Sequence, residues 1–410
     1  MITLFDHHSL INVRNRGREW VRKEMWRCDG LCMSKRHKAH VFAIASAFSR
    51  LCPHLCTSGN CRIGIERGSN MKRNQAPVVR AIDLGYGRVK YTTGRDAGGG
   101  FLCGAFPSIT GRAGSKRLGG GFFAERKTIT VKFNNLDYEV GEDAILATGG
   151  YATRMLDMHY VRSDTYQVLM RGAIKMMNVD VIDVLVLGSP VVNFNEVRDY
   201  LRSQFVGRIN LDGAKTVDVR RVIVLPQPLG GYAWFGKENN VYERIRTQMN
   251  LIADPGYFTL DWMVSRGTNF IPERSGSHPG GMSAIIRAIT REIAIKENSG
   301  NLDSLFVWDN IDRYFYAGEP FTFKGRDYDL SRHVQAAKAL IDNTVDALAA
   351  KVGGVHDIER IILVGGGAKH YASALRDRFS GFSIHTVENP EFANVQGFQY
   401  VGEELCGRSG

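Results

Sequence analysis

Two short segments of the chain each place a carboxylate directly ahead of a glycine turn. They are Asp83-Leu-Gly85-Tyr-Gly87-Arg-Val-Lys90 and Asp254-Pro-Gly256-Tyr-Phe-Thr259-Leu-Asp261. Glycine lacks the Cβ atom that would keep backbone N–H groups away from a phosphate group. Because each segment follows apolar residues, the pair can face one nucleotide phosphate chain from opposite sides.

The first segment combines its glycine turn with two charged side chains. Lys90 adds a positive point charge to the turn. The Asp83 carboxylate repels phosphate, so its predicted use is to hold Mg²⁺ through water. Asp and Gly are also ordinary turn residues, and a simple hairpin turn is the alternative interpretation.

The second segment repeats the order of Asp and Gly and continues into an outgoing strand. Successive side chains of a strand point to opposite faces, so Thr259 and Asp261 are predicted to share one face. A carboxylate there supports metal-bound water, and the threonine hydroxyl can bond a phosphate. Tyr257 and Trp262 are predicted to belong to the core or the cleft wall.

Two further sites have residue types that suit nucleotide chemistry. Gly365-Gly366-Gly367 stands between an apolar strand and a helix, which suits close approach of a flat base and its sugar. A plain strand-to-helix turn is the alternative. Gln227 stands at the predicted end of a strand, where a neutral amide can orient an attacking water, although a solvent-facing turn residue fits that place too.

One apparent phosphate-binding motif is rejected. Gly213-Ala-Lys215-Thr216 resembles the end of a P-loop, but the first glycine of that motif is missing and a strand is predicted to follow. The sequence also has no HExxH, no GxSxG and no GxGxxG ahead of a helix. These familiar motifs therefore do not explain what the chain does.

The elements that must position these sites alternate between strand-like and helix-like segments. The first half is predicted to have strands at 78–84, 89–93, 127–133, 137–140, 182–188 and 217–225, with helices at 164–178 and 196–205. The second half is predicted to have strands at 257–264 and 360–364, a hairpin at 321–329, and helices at 281–296, 331–352 and 368–379. Ser331 is the predicted cap of the long helix and Gly353 its end. This is an α/β pattern with two similar domains around a cleft.

The composition favours a soluble globular protein without strong nucleic-acid binding. The chain has 410 residues with 44% hydrophobic content, and it contains no run of 18 apolar residues that would suggest a membrane span. Its net charge is +11, but residues 1–70 hold 12 Lys+Arg and 5 Asp+Glu, which leaves 41 and 37 for the rest. The body is therefore only mildly basic.

The leader at 1–75 differs from the rest of the chain. It is basic, it has no steady hydrophobic period, and five cysteines lie in it: Cys28, Cys32, Cys52, Cys56 and Cys61. We expect a disordered segment or an extension upstream of a true start at Met71. A zinc site is the alternative, although no C-x2-C pair is present. The two cysteines of the body, Cys103 and Cys406, fit a reducing cytoplasm.

The order of the sites resembles that of the actin, Hsp70 and sugar-kinase superfamily of two-domain ATPases. The pattern is D-x-G-x-G-x-x-K, then P-Q, then D-x-G-x-x-T-x-D, then G-G-G-A. Within the superfamily the chain is most similar to the ParM/StbA group of plasmid-segregation actins, and among these to the variant of PRTRC plasmid systems. Residues 254–262 and Asn389-Pro-Glu-Phe-Ala-Asn394-Val-Gln-Gly397 carry that likeness, which covers 78 to about 405.

The resemblance implies two RNase H-like actin-type domains, at 76–250 and 251–410, with a nucleotide cleft between them. It implies ATP and Mg²⁺ as cofactors, with Asp254, Gln227 and Asp83 as catalytic residues and the two aspartates as metal ligands. The implied cofactor-binding residues are Gly85, Gly87 and Lys90 in a first phosphate loop, Gly256, Thr259 and Asp261 in a second, and Gly365, Gly366 and Gly367 in an adenosine loop.

Two departures from the family pattern affect the expected chemistry. Gln227 stands where ParM proteins have a glutamate, and an amide is not a base at neutral pH, so we expect slow hydrolysis that rests on positioning. Tyr257 and Phe258 stand where many relatives have small residues, so backbone approach to a terminal phosphate is less open here.

The leading hypothesis is therefore a cytoplasmic actin-like ATPase that self-associates head to tail into filaments for plasmid segregation, with a DNA-bound adaptor protein as partner. A sugar or metabolite kinase on the same scaffold is one alternative, although no aspartate-based motif for a sugar site is found. A nucleotide-controlled adaptor that does not polymerise is another.

Overall fold

The computed structural model describes residues 76–114, 125–149 and 154–407, and all of them belong to one compact unit of the chain. The predictions made for the leader at 1–75, including a start at Met71 and the zinc alternative, lie outside the described residues.

Strands and helices alternate through the first half of the described chain. The strands are β1 (Val79–Leu84), β2 (Arg88–Arg95), β3 (Phe101–Pro107), β4 (Gly111–Arg112), β5 (Thr128–Phe133), β6 (Leu136–Gly141), β7 (Val181–Ile182), β8 (Val184–Ser189), β9 (Gly207–Asn210), β10 (Thr216–Val219) and β11 (Val222–Pro226). The helices are α1 (Ala144–Ala147), α2 (Asp164–Met176), α3 (Phe194–Phe205), α4 (Gln227–Glu238) and α5 (Tyr242–Ile245), with a 3₁₀ turn at Tyr160–Arg162.

The second half repeats the alternation. Its strands are β12 (Met249–Pro255), β13 (Thr259–Arg266), β14 (Asn269–Phe270), β15 (Gly276–Pro279), β16 (Phe321–Phe323), β17 (Arg326–Tyr328), β18 (Arg360–Leu363) and β19 (Ile384–Thr386). Its helices are α6 (Met282–Lys296), α7 (Leu305–Ala317), α8 (Lys338–Val352), α9 (Ala368–Arg378) and α10 (Ala393–Leu405), with 3₁₀ segments at Pro272–Arg274 and Leu330–Ala337.

A five-stranded mixed sheet in the order β11-β8-β1-β2-β3 organises the first half. Strand β1 lies at its centre, parallel to β8 and antiparallel to β2. The two faces of β1 enter different cores: Ile82 and Leu84 pack in one, and Val79 and Ala81 pack in the other. By this alternation Asp83 shares the face of Val79 and Ala81.

A second mixed sheet, in the order β14-β13-β12-β18-β19 with β15 paired to β13, organises the second half. Leu251 and Ala253 of β12 and Leu260 and Trp262 of β13 face one core together with helices α6 and α8. The intervening residues, which include Asp254, take the opposite face. We call the elements on the first sheet the first lobe and those on the second sheet the second lobe.

The last helix, α10, leaves the second lobe and packs on the first. Phe398 and Val401 of α10 share a buried cluster with Ala81 of β1. The helix also crosses α4 at very close range, because a Cβ atom added to Gly397 would collide with the carbonyl oxygen of Gly230. Although the predicted division at residue 250 assigns the whole of 251–410 to the second domain, α10 packs with the first.

Both hairpins predicted from the sequence are present in the structure. Strands β5 and β6 pair through Asn134 and Asn135, whose φ angles of 48° and 61° suit the tight turn expected of two asparagines. Strands β16 and β17 pair around Lys324 and Gly325, both with positive φ. Residues 211–215 join β9 to β10 as a hairpin and Thr216 begins β10, as expected for a segment that is not a P-loop.

Two predicted elements are wrong in detail. The single strand predicted at 217–225 is two strands, β10 and β11, in two different sheets. The exposed pair Arg220 and Arg221 separates them, and its charges break the apolar run. The helix predicted at 331–352 begins as a 3₁₀ segment, and its cap is Asp329, whose side chain accepts a hydrogen bond from the backbone N–H of Ser331.

Among the described residues, no helix has the length and apolar character needed to cross a membrane.

Candidate functional site

Asp83 lies near the end of β1 and is 1% exposed. Its side chain accepts a hydrogen bond from Lys90 Nζ at 3.2 Å and another from Gln227 Nε2 at 2.7 Å. Lys90 is directly opposite Asp83 in the antiparallel register of β1 and β2, which explains why a spacing of seven residues brings the two together. Both carboxylate oxygens of Asp83 therefore have a protein partner.

The turn between β1 and β2 is fixed by a residue that the sequence did not single out. Ser108, just after β3, donates its hydroxyl hydrogen to the carbonyl oxygen of Gly85 at 2.6 Å and its backbone N–H to that of Gly87 at 2.8 Å. The Gly85 N–H closes the turn on the carbonyl oxygen of Arg88. We call residues 85–88 the first loop.

Gln227 is the first residue of α4, and not a turn residue at the end of a strand as the alternative interpretation had it. Pro228 follows it at a position where helices tolerate proline. This helix is hard to predict, because Gly230, Gly231 and Gly236 lower its helix propensity. Its position at the start of the helix places the side-chain amide of Gln227 within hydrogen-bond distance of Asp83.

Asp254 is the counterpart of Asp83 in the second lobe. It lies on β12, 7% exposed, and accepts a hydrogen bond from Asn394 Nδ2 at 2.7 Å. Burial raises the pKa of Asp254 to about 7, and the charge of Asp83 adds to the rise, while the hydrogen bond from Asn394 opposes it. The two carboxylates thus lie close enough to repel each other.

Thr259 and Asp261 share one face of β13, as predicted. The Thr259 hydroxyl donates to Asp261 Oδ2 at 2.6 Å, so its hydrogen is already used within the protein. Asp261 is directly opposite Asp254 in the register of β12 and β13. Burial raises the pKa of Asp261 to about 6, and the hydrogen bond from Thr259 opposes that rise. The Gly256 N–H closes the turn on the carbonyl oxygen of Thr259 at 2.8 Å, and we call residues 256–259 the second loop.

The three consecutive glycines have different surroundings. Gly365 has a φ of 85°, and a Cβ atom there would collide with Asp254 Oδ1. Gly367 donates its N–H to the carbonyl oxygen of Pro255 at 2.8 Å, and a Cβ atom there would lie 2.9 Å from that oxygen. Gly366 is exposed, and its nearest neighbour would be Glu391 Cβ at 3.8 Å. Gly365 and Gly367 therefore permit packing on Asp254 and Pro255 at the end of β12, whereas a Cβ atom on Gly366 would make only an ordinary van der Waals contact.

The two loops touch through aromatic side chains. A Cβ atom on Gly87 would lie 2.7 Å from atoms of the Tyr257 side chain. Tyr86 of the first loop meets Phe258 of the second with ring centroids 5.0 Å apart. The bulky side chains of Tyr257 and Phe258 thus fill the space between the loops at this point.

Lys90 connects the two carboxylates electrostatically. Burial lowers the pKa of Lys90, but the charges of Asp83 and Asp254, together with the hydrogen bond to Asp83 and the nearby Tyr316, outweigh burial, so the pKa is raised. One largely buried cation therefore faces two buried carboxyl groups, and their negative charge when both are ionised suits an added cation. Carboxylate oxygens are ligands that Mg²⁺ prefers, so Asp83 and Asp254 fit this ion. Among the described residues, no group of three or more His, Cys, Asp or Glu forms a metal site, so water and ligand oxygens would complete the shell.

The structure thus brings Asp83, Lys90, Gln227 and Asp254 into one electrostatic site, with Gly365 against Asp254 and Gly87 against the second loop. No motif in the sequence points to Ser108 or Arg154, and Asn394 stands out there only as part of the family segment 389–397. Asn394 also accepts the N–H of Gly231 at 3.0 Å, so one amide joins α4 to β12.

Comparison with known families matches both halves of the chain. Residues 81–230 match the N-terminal domain of actin-like proteins, and residues 252–377 match the C-terminal domain of the MreB-like archaeal actin homologue. No curated protein sequence matches the chain.

Solved structures with the same fold include archaeal and plasmid proteins. The archaeal actin homologue Ta0583 has a TM-score of 0.62 and 19% identity, covering 80% of this chain and 99% of its own. A ParM from a 15-stranded filament of Clostridium botulinum has a TM-score of 0.61 and 21% identity, covering 80% and 100%. The apo ParM protein of psk41 has a TM-score of 0.57 and 19% identity, covering 81% and 99%. The predicted two-part actin-like fold is confirmed.

Proposed function

Because the chain belongs to the actin-like proteins, we propose that it binds ATP with Mg²⁺ between its two lobes and hydrolyses the nucleotide slowly. One observation carries this proposal: two buried aspartates from two separate lobes, Asp83 and Asp254, act on the same lysine, Lys90, whose side chain is 15% exposed. A site with that charge arrangement suits a metal and an anionic phosphate chain together. A complex of the Ta0583 homologue with ADP, at 17% identity, supports the choice of ligand class.

In this proposal each group of residues in the site has a separate role. The first and second loops bind the phosphates, with Lys90 opposing their charge, and Gly366 gives access to the base and sugar. Asp83 and Asp254 would hold Mg²⁺, which supplies charge neutralisation for the phosphates when bound. The amide nitrogen of Gln227 donates to Asp83, which leaves its carbonyl oxygen to accept a hydrogen bond from an attacking water. An amide cannot take the proton, and hydrolysis is therefore slow.

We further propose that the nucleotide-bound chain assembles head to tail into filaments in the cytoplasm and serves plasmid segregation with a DNA-bound adaptor. The filament structure of the Clostridium botulinum ParM supports the assembly. Head-to-tail contacts that do not close into a ring produce open helical filaments. The proposed domains are 76–250 and 251–410, with α10 packed on the first.

Calorimetric titration with ATP and Mg²⁺, combined with a phosphate-release assay, tests the proposal. The wild-type chain should bind one nucleotide per chain and release phosphate, and Asp254→Ala should lose both. Asp327→Ala, an exposed carboxylate on β17, is the matched control and should behave as wild type. A wild-type chain that binds no nucleotide, or an Asp254→Ala variant that binds normally, contradicts the proposal.

A further inference from the structure

The Arg154 side chain is 3% exposed, which is unusual for a cation. None of its three guanidinium nitrogens makes a hydrogen bond of good geometry to the described residues. Its charge is balanced instead by Asp309 at 3.5 Å and Asp312 at 3.7 Å, both on α7 of the second lobe. A buried guanidinium held at these distances is costly unless the arrangement has another use.

The guanidinium also lies on the second loop. Its carbon atom is 4.3 Å from the centroid of the Tyr257 ring, which is the range of a cation–π contact. The Tyr257 side chain in turn lies against Gly87, where no side chain would fit. One stack of contacts therefore runs from Arg154 in the first lobe, through Tyr257 of the second loop, to Gly87 of the first loop.

Helix α7 contacts the first lobe along several turns. Asp309 and Asp312, which face Arg154, are part of this larger contact between the lobes. Arg313 donates to the carbonyl oxygen of Glu142 at 3.1 Å. The guanidinium of Arg88 lies 4.1 Å from the ring centroid of Tyr316. Leu305 at the start of the helix shares a small buried cluster with two isoleucines of the first lobe.

The inner side of α7 belongs to the second lobe. Ile311 is fully buried in that lobe's core, and Trp308 packs against it. A helix anchored in one lobe and bonded to the other must shift when the lobes separate, and so must the groups attached to its contact surface. Arg154 is attached both to this helix and to the second loop.

We propose that Arg154 is a positioning residue that holds Tyr257, and with it the second loop, against the first loop, and that couples this loop to α7. The inference deepens the proposed function and rests on it. When the phosphate chain moves the second loop, the stack carries the movement to Asp309 and Asp312, and thus to the contact between the lobes. Loss of the guanidinium removes the ion-pair partner of Asp312, leaves Asp309 with Arg313 at 2.8 Å, and leaves the Tyr257 ring without support on one side.

Release of a fluorescent ATP analogue, followed by stopped flow with Mg²⁺ present, tests this role. Arg154→Met should release the analogue about tenfold faster than wild type, in the usual range for coupling between sites. Arg154→Lys retains a cation over the ring and should restore most of the slow release. Tyr257→Leu should speed release as well, and adding Arg154→Met to it should give less than the product of the two effects. Arg332→Met, whose side chain is 84% exposed, is the control and should match wild type.

Hydrogen exchange of residues 305–317 without nucleotide gives a second readout that does not depend on binding. Arg154→Met should lower the protection of this helix, and Arg332→Met should not. If Arg154→Met fails to fold, Asp312→Asn replaces it in both measurements with the same expected direction. The inference alone is overturned if the wild-type chain binds nucleotide normally and the variant shows unchanged release of the analogue and unchanged hydrogen exchange of residues 305–317. A wild-type chain that binds no nucleotide overturns the proposed function and this inference with it.

Discussion

At the scale of single residues, Asp254 shows how burial and charge combine. Its pKa rises to about 7 through burial and the nearby charge of Asp83, and burial raises that of Asp261 to about 6. Because these folded-state pKa values lie above the unfolded value of 3.8, ionisation weakens the folded state. Without a bound cation, stability is fully present below about pH 4 and falls as the pH rises through 6 and 7. One pKa unit corresponds to about 1.4 kcal/mol, so the ionisation of each group weakens the folded state by on the order of 3–4 kcal/mol.

Substitution of Asp254 by asparagine should therefore stabilise the empty protein while it abolishes function. We expect Asp254→Asn to raise the free energy of unfolding at pH 8 by on the order of 1–3 kcal/mol. It should also flatten the pH dependence, and added ATP and Mg²⁺ should give no further gain. Urea unfolding from pH 4 to 8 measures this, with Asp327→Asn as the control. A wild-type stability that stays constant or rises between pH 4 and 7 would be inconsistent with the buried pair.

The three glycines allow a second test at the residue scale. The added carbon of Gly366→Ala makes only an ordinary contact with Glu391 Cβ, so the unfolding free energy should stay within about 0.5 kcal/mol of wild type, while the nucleotide affinity falls. Gly365→Ala should lose on the order of 1–3 kcal/mol of stability, because its φ is positive and its Cβ atom would collide with Asp254. Thermal melting and calorimetric titration separate the two effects. A Gly366→Ala variant with unchanged affinity would remove this glycine from the nucleotide site.

The sequence located most of the candidate site residues, for a physical reason. Glycine and aspartate have distinct backbone and charge properties, so their spacing is visible without a structure. Gln227 was indicated only by its place at a strand end and by the family resemblance, and Asn394 only as part of a family segment, because an amide gains its role from the atoms that it contacts. Ser108 and Arg154 act across the fold on residues at least 20 positions away, and a local pattern does not contain that information.

At the scale of elements, the predictions include strands β1, β2, β5 and β8 and helices α2, α3, α6 and α9, whereas strand β3 and helix α7 were missed. The alternating apolar residues of β5 and the continuous apolar run of β8 reflect burial, which local sequence records. Helices α4 and α10 were missed, because their glycines lower helix propensity. These glycines allow the two helices to cross at close range. The break between β10 and β11 was missed because two apolar runs separated by two arginines read as one strand.

The crossing of α4 and α10 gives a prediction at this scale. Gly397→Ala should destabilise the protein by on the order of 1–3 kcal/mol, because the added methyl group would collide with the backbone of Gly230. Gly354→Ala is the matched control, since nothing lies within 4 Å of its added carbon. Urea unfolding compares the two variants. Equal stability of both would show that the helices do not cross so closely.

At the scale of the whole molecule, two lobes meet through two kinds of contact. Helix α10 binds the second lobe to the first through Asn394, which joins Gly231 and Asp254. Helix α7 meets the first lobe through charged and aromatic contacts. The order of motifs in the sequence predicted two lobes and a cleft, but it carried no sign of these crossings, which depend on residues far apart in the chain.

Assembly belongs to this scale as well. The chain should sediment on high-speed centrifugation with Mg²⁺ and a non-hydrolysable ATP analogue, and it should remain in the supernatant without nucleotide. The Asp254→Ala variant should remain in the supernatant in both cases, because it lacks the bound state that closes the lobes. A wild-type chain that stays monomeric at high concentration with the analogue would contradict the filament proposal and leave nucleotide binding intact.

The structure of the chain with a non-hydrolysable ATP analogue and Mg²⁺ is the decisive measurement for the proposed nucleotide site. We expect density for the phosphate chain between residues 85–88 and 256–259, with the metal ion between Asp83 and Asp254 and the base beside Gly366. Nucleotide bound elsewhere on the protein, or phosphates that contact neither aspartate nor Lys90, would contradict it.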